Sequence, residues 1–447
     1  MIIKFMSEYI PFQMNPGLIW KGIWARRYQN IWLLAELVIV AYCSWSVLDP
    51  AIVFFHDKHF VPLGYDADRL CLVDLGTKDS EFPENYYASG QMWGDIVRVA
   101  DKFRALEEVE NVCIAEGRSY FNGEGVADYN VGVYGDTQDF QNVHGLNFTR
   151  GTHFFETFGI HPVYGGLSQE DLSKGRFGAD AVVVTRSLAV SLFGTEDVVG
   201  KIMAVRLGDD TLSARVAGVV ENVRPFSFER YSNVFFRVLP DDISGRTSDA
   251  KLVLRLKDGV EPSKFVSDYR PRIYTEFGSG PFVARSVNSY SFVIDECERL
   301  MGLSSSYHQL LVAAAFFLFN LCVGVISTFW LQTRGRAGEI GIMRAFGATK
   351  VRALLMLVSE AVMLATIGFV IGSFAYLQFT VDTGLSVGYN FTRTGHETDW
   401  LSVYHTHFLG VAAILYSIIV VVVCIGVLIP ACHMVNVSPV DSLRNKD

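Results

Sequence analysis

Three groups of side chains have the types and spacing to do chemistry. The stretch GTEDVVGK at residues 194–201 approaches a phosphate-cradling loop, yet five residues separate its glycines where four are needed. Ile202 also stands where a magnesium-binding hydroxyl would be. His396, Glu397, His405 and His407 gather late in the chain. His-x-His can set two neutral imidazoles on one face of a strand as metal ligands, and the same rings beside Trp400 and Tyr404 also suit a membrane interface. Glu36 and Glu360 sit in apolar surroundings, where a carboxylate is costly and faces protein or water. They read either as a proton relay or as partners of Arg26, Arg27 or Arg352 near an interface. Neither G-x-S-x-G nor H-E-x-x-H occurs. The chain is therefore expected not to be an enzyme and to hold no catalytic, metal or cofactor site.

The elements that must position these groups follow from hydropathy. Of 447 residues, 50% are hydrophobic and 19% charged, with mean hydropathy +0.26, too apolar for an ordinary soluble chain and too charged for a bare membrane bundle. Residues 310–331, 361–381 and 408–432 are uncharged runs long enough to cross a bilayer, which takes about 20 apolar residues. A shorter run at 31–48 carries Glu36 and reads as a first span, with a buried soluble helix as the alternative. Lys21, Arg26 and Arg27 precede it, and Arg334, Arg336, Arg344, Lys350 and Arg352 lie between the second and third, so both flanks belong in the cytoplasm. By alternation residues 57–306 and 382–406 lie outside. The larger outer segment has 26 basic against 37 acidic residues, so its net charge of −11 outweighs the whole chain's −9. A nucleic-acid partner is excluded by this balance, since phosphate binding needs a concentrated basic face.

Within the outer segment Trp93, Ile96, Val97, Ala100, Phe103 and Leu106 recur at helical spacing. Short β-rich runs cover 181–184, 214–220, 234–239 and 252–256. A helix over 187–193 stops at Gly194, and another over 262–277 is interrupted near Pro271. This alternation indicates a mixed α/β or α+β domain. Cys71, Cys113 and Cys297 are the cysteines in it, an odd number without metal spacing, so no disulfide framework is expected. A helix over 295–301 either runs on into the second span or stops at a joint formed by Gly302 and Ser304 to Ser306.

The segment TRGRAGEIGIMRAFGATK at 333–350 joins two spans. Ile340, Met343 and Phe346 fall at i, i+3 and i+6, and Arg336, Glu339, Arg344 and Lys350 are charged, giving a short amphipathic helix suited to a groove on a soluble partner. Here the chain resembles the FtsX-like permeases, which include the MacB-type exporters and lipoprotein-releasing ABC transporter subunits. EIGIMRAFGATK, followed by SEAVMLATIGFVIG, carries the resemblance, and the ending PACHMVNVSPVDSLR is similar to the family's closing pattern. AVVVTRSLAVSLFGTEDVVGKIMAV and ARVAGVVENV are similar to the MacB-like periplasmic core domain, in which the near-phosphate loop is scaffold.

The resemblance implies an α-helical membrane protein of four transmembrane helices with a large mixed α/β periplasmic domain inserted between the first and second. The expected order is a cytoplasmic segment 1–30, first helix 31–56, periplasmic domain 57–306, second helix 307–332, cytoplasmic coupling loop 333–352, third helix 353–381, periplasmic loop 382–406, fourth helix 407–432 and tail 433–447. The FtsX-like region covers about 307–440 of these. Such a permease binds no ATP itself and sits in the bacterial inner membrane. It pairs with a cytoplasmic ABC ATPase and a second permease copy or paralogue, with a periplasmic adaptor and outer-membrane component as further partners. It converts ATP-driven movement into movement of the periplasmic domain, a mechanotransmission cycle used for efflux or extraction. Glu339, Ile340, Gly341, Met343, Arg344, Phe346, Gly347 and Ala348 would form the ATPase-coupling element. Gly368 and Gly372, spaced G-x-x-x-G, serve helix packing either within the chain or in a dimer. The alternatives are a regulator of cell-wall hydrolases and a membrane-anchored receptor or enzyme.

Overall fold

The computed structural model describes residues 16–78, 86, 90–135, 139–178, 180–207, 210–229, 233–239, 249–335, 338, 340, 342–343, 346–383 and 404–436. It separates into two compact units, one of apolar helices and one of mixed structure.

In the helical unit four helices are long and apolar enough to cross a membrane: Arg27–His59, Leu303–Gly335, Lys350–Thr383 and Tyr404–Asn436. Each extends beyond the hydrophobic run that announces it. The first passes through Asp49 and Pro50, beyond the apolar run 31–48. A preceding helix, Pro16–Ala25, contributes Ile23 to a core built from Leu33, Leu37, Trp45, Leu321, Val325, Leu357, Leu364, Leu415 and Val423.

Small residues decide how closely these helices approach. A Cβ at Gly368 would stand 2.6 Å from Leu37 Cβ, and one at Gly372 would stand 2.7 Å from Ala41 Cβ, so both glycines admit the first span to the third within one chain. Gly324 does the same for Glu36, whose carboxylate lies against the second span's backbone. Among the described residues Glu36 makes no ion pair, so of the two intramembrane glutamates only Glu360 meets a basic partner, Arg26 at 3.4 Å.

The mixed unit holds two sheets. Its described strands in chain order are β1 (Leu70–Thr77), β2 (Val109–Glu116), β3 (Ala127–Val133), β4 (Gln141–Phe148), β5 (Pro162–Tyr164), β6 (Ala181–Thr185), β7 (Ile202–Leu207), β8 (Asp210–Val220), β9 (Val234–Val238), β10 (Ala250–Leu256), β11 (Gly278–Ser279) and β12 (Phe282–Ser289). One sheet runs β11-β12-β1-β10-β2 and packs the amphipathic helix Gln91–Arg104 through Ile96, Val99, Ala100 and Phe103, the residues its spacing selects. The other runs β5-β8-β6-β9-β4-β3-β7 and closes on itself where β7 pairs with β8, making a six-stranded barrel with β5 appended. Its interior is filled by Val131, Val143, Val184, Val198, Met203, Val216 and Phe235. Helix Arg186–Phe193 follows β6 and stops at Gly194, whose φ of +69° is the left-handed conformation a helix end favours.

GTEDVVGK runs from that helix into β7, the reverse of the strand-to-helix order a phosphate loop needs. Lys201 lies over the Phe193 ring. The helix Tyr290–Leu300 does not continue into the second span. Gly302, at φ +74°, interrupts it, so the break falls at Gly302, while Ser304 to Ser306 are already helical and form no joint. All seven cysteines are free. Burial pushes the thiols of Cys71 and Cys113 up to about 12, which keeps them inert at neutral pH.

Candidate functional site

The segment linking the second and third helices is built around one anchor and one cap. Ile340 is 3% exposed and belongs to the helical unit's core. It therefore fixes the segment to its own chain, which corrects the expectation that it reaches outward with Met343 and Phe346. Helical periodicity marks a common face without saying what covers each part of it. Phe346 is 90% exposed, Ile342 is 48% exposed and Met343 is half-buried, so the outward apolar residues are Ile342 and Phe346.

Phe346 N–H donates to Ile342 O at 3.0 Å, and Ala348 N–H donates to Met343 O at 3.0 Å across Gly347 at φ +92°. This six-to-one bond over a left-handed glycine is the Schellman ending of a helix, and it explains the order Phe-Gly-Ala. The third helix begins at once, its Thr349 hydroxyl accepting from Arg352 N–H at 3.3 Å. The turn is thus hydrogen-bonded on both sides, with a phenylalanine presented at its tip. Glu339, Gly341 and Arg344 lie outside the described residues.

A second constellation lies in the same unit. Asp49 and His407 are 0% and 1% exposed and hydrogen-bond at 2.7 Å, while Tyr376 O–H donates to the other carboxylate oxygen at 3.1 Å. Trp45 donates to Ser373 Oγ at 2.9 Å and stacks on Tyr376 and Phe408. First, third and fourth helices are therefore joined by one polar cluster inside an aromatic sleeve. It explains how Asp49 survives in the first span: the charge is met by partners from two other helices.

The histidine pair does not behave as its spacing suggests. His405 and His407 stand on a helix, where two residues subtend about 200°, so one is exposed and the other buried and they do not converge on an ion. The interfacial reading fails for His407 for the same reason. Among the described residues no metal-holding group of His, Cys, Asp and Glu occurs. His396 and Glu397 lie outside them.

The third constellation is where the chain enters and leaves the mixed unit. Arg224 is fully buried, with Nη1 donating to Asp57 O at 2.8 Å and Val61 O at 2.9 Å, and its other nitrogens donating to Ser227 O and Glu229 O. Glu298, on helix Tyr290–Leu300, accepts from Ser227 Oγ at 3.0 Å and from Lys58 Nζ at 2.6 Å, and Lys58 also reaches Asp295 at 3.0 Å. The incoming residues 57–61 and the outgoing helix are consequently tied through one loop, residues 224–229. Beside it, His144 sits between Glu229 and Asp128, each at 2.8 Å. Burial would lower the imidazole, but the two carboxylates outweigh it and raise His144. Burial in turn raises Glu229 against the opposing pull of His144.

Sequence reasoning missed Asp49, Lys58, Arg224 and Glu298. Single charged residues near turns read as surface, and only the hydrogen-bond partners reveal otherwise.

Residues 311–439 match the family model described as FtsX-like permease C-terminal, and residues 66–271 match that of the MacB-like periplasmic core domain. The chain is 26% identical over 331 residues to the macrolide export ATP-binding/permease protein MacB of Chromobacterium violaceum, covering 71% of this chain and 44% of that one. It is 24% identical over 401 residues to a probable export ATP-binding/permease protein of Pseudomonas fluorescens, covering 86% and 55%. It thus spans about half the length of these curated relatives. The periplasmic region of MacB from Actinobacillus actinomycetemcomitans matches at 14% identity and TM-score 0.31, covering 54% of this chain and 97% of that region.

Proposed function

Because the chain is a MacB-like ABC transporter permease, a multi-pass membrane protein whose periplasmic domain lies between its first two spans, we propose that it couples a separate cytoplasmic ATPase to movement of that domain. The observation that carries this reading is the segment between the second and third helices. A turn anchored by buried Ile340 and capped at Gly347 holds Phe346 almost wholly exposed, together with Ile342. An isolated exposed phenylalanine on a mobile loop would mean little. One clamped between two helix ends is a lever tip, suited to an apolar groove on the ATPase.

In this reading the protein resides in the inner membrane and works with a second permease copy or paralogue, its cargo moved from the periplasmic side. ATP binds to the partner alone. A periplasmic adaptor and an outer-membrane component complete the route for export. Glu339, Gly341, Met343, Arg344 and Ala348 complete the coupling element around Phe346. The periplasmic end is fitted to receive movement, because residues 57–61 and the helix Tyr290–Leu300 share the Arg224 loop and shift together.

Phe346→Asp tests the coupling. The variant is expected to insert at wild-type levels, since an exposed surface position changes stability by no more than about 0.5 kcal/mol. It is expected to lose both retention and stimulation of the co-expressed ATPase in pull-down and phosphate-release assays. Unchanged association and stimulation would reduce the segment to a topological anchor.

A further inference from the structure

The barrel of the periplasmic domain is not filled to its end. At the mouth formed by the starts of β3, β6 and β8 and the ends of β7 and β9 lies a cavity of about 380 Å³, lined by Tyr129, Val182, Val205, Leu212, Phe235 and Arg237 among others. That volume falls in the lower part of the range of ligand pockets, about 300–1,000 Å³.

Its cause is a register feature. β6 begins opposite Arg215, so the first residues of β8 overhang it. There β8 is paired with β7 alone, Leu212 against Val205 and Ala214 against Met203. The floor is apolar: Val182, Val205, Ala214 and Phe235 are all buried. On β9 the inward positions alternate, Phe235 opposite Val184 and Arg237 opposite Val182, while Phe236 and Val238 turn to the other side and join a different core.

Arg237 therefore occupies an inward-facing barrel position above an apolar floor. Among the described residues its guanidinium has no hydrogen-bond or ion-pair partner. The acid on the rim, Asp180, is engaged by Arg215 at 3.3 Å. A half-buried arginine at the mouth keeps contact with solvent and can exchange it for an arriving acceptor.

We infer that the barrel mouth binds a small anionic amphiphile, its carboxylate received by Arg237 and its apolar tail lying on Val182, Val205, Ala214 and Phe235. Planar guanidinium and carboxylate match in a two-bond fork, which favours a carboxylate over a neutral or cationic head. The inference stands apart from the transport reading, since it concerns what the periplasmic domain holds and not what drives it.

Decanoate is the probe, titrated calorimetrically into the full chain in lipid nanodiscs, with protein-free nanodiscs as the blank and decyltrimethylammonium as the charge-reversed control. Saturable decanoate binding is expected, weakened about tenfold or more in Arg237→Gln. It is expected to be lost in Leu212→Trp, which closes the mouth from an exposed lip position, while the ammonium ligand does not bind saturably. Thermal melting of each variant checks the fold, and if Arg237→Gln melts early the lip variant decides. Absence of saturable decanoate binding, equal binding of the ammonium ligand, or wild-type binding in a folded Leu212→Trp would each overturn the inference.

Discussion

In the periplasmic domain the buried guanidinium of Arg224 directs its donors to the carbonyls of Asp57, Val61, Ser227 and Glu229. In the membrane helices the buried carboxylate of Asp49 is met by the side chains of Tyr376 and His407. The first arrangement satisfies main-chain acceptors at the end of the first helix, just beyond it and in the 224–229 loop, and no other side chain can replace a five-donor fork there. The second joins helices far apart in sequence through groups that substitutions can mimic. A fixed joint and an adjustable one are thus built from the same ingredients, and the difference lies in whether backbone or side chain supplies the partner.

The comparison breaks most easily at Arg224. Arg224→Leu leaves several buried carbonyls without donors, each worth about 1–3 kcal/mol, so the periplasmic domain should lose at least about 3 kcal/mol in denaturant unfolding. A loss below about 1 kcal/mol would mean that water enters the joint and that its rigidity is illusory.

Next in size is the seam between first and third helices. Gly368→Leu forces a side chain to within contact of Leu37, and overpacking of this kind costs about 1–3 kcal/mol. Thermal inactivation of detergent-solubilised protein at a lower temperature is the expected result. If Gly368→Leu instead leaves stability intact and alters oligomeric state, the glycine face serves a second copy after all.

The smallest effect is electrostatic and separates the two units by pH. His144 is raised above its ordinary 6.5, so the folded domain holds that proton more tightly than the unfolded chain does. The stabilisation is complete below 6.5 and is lost as pH rises through the raised value. Glu229, raised above 4.5, acts in the same direction at lower pH. Melting of the periplasmic domain should therefore move to lower temperature between pH 5.5 and 8, and His144→Gln should flatten the upper part of that slope. A melting temperature that climbs with pH in this window would reverse the sign of the argument.

Much of this architecture is legible before any coordinates. Short apolar, β-favouring runs locate β6, β8, β9 and β10, which are largely buried, and helical spacing locates Gln91–Arg104, which buries one face. The close approach at Gly368 and Gly372 is likewise visible, though not which helix approaches. β3, β4 and β7 escape notice, since polar outward residues and glycines interrupt them. Their identity as strands rests on pairing across the barrel, which no local pattern encodes. Asp49 is illegible for a related reason. It lies at the edge of the apolar run 31–48, and its partner His407 is far along the chain, where no local pattern points back to it.

The closure of β7 onto β8 also has a consequence for traffic. A sheet that ends offers unpaired amides to any passing extended chain, whereas a ring of strands offers none along its circumference. In a compartment crowded with unfolded polypeptides in transit, this half of the domain leaves a stranger only the short β5 and the overhanging start of β8 to pair with among its described strands, so recognition elsewhere on it runs through side chains.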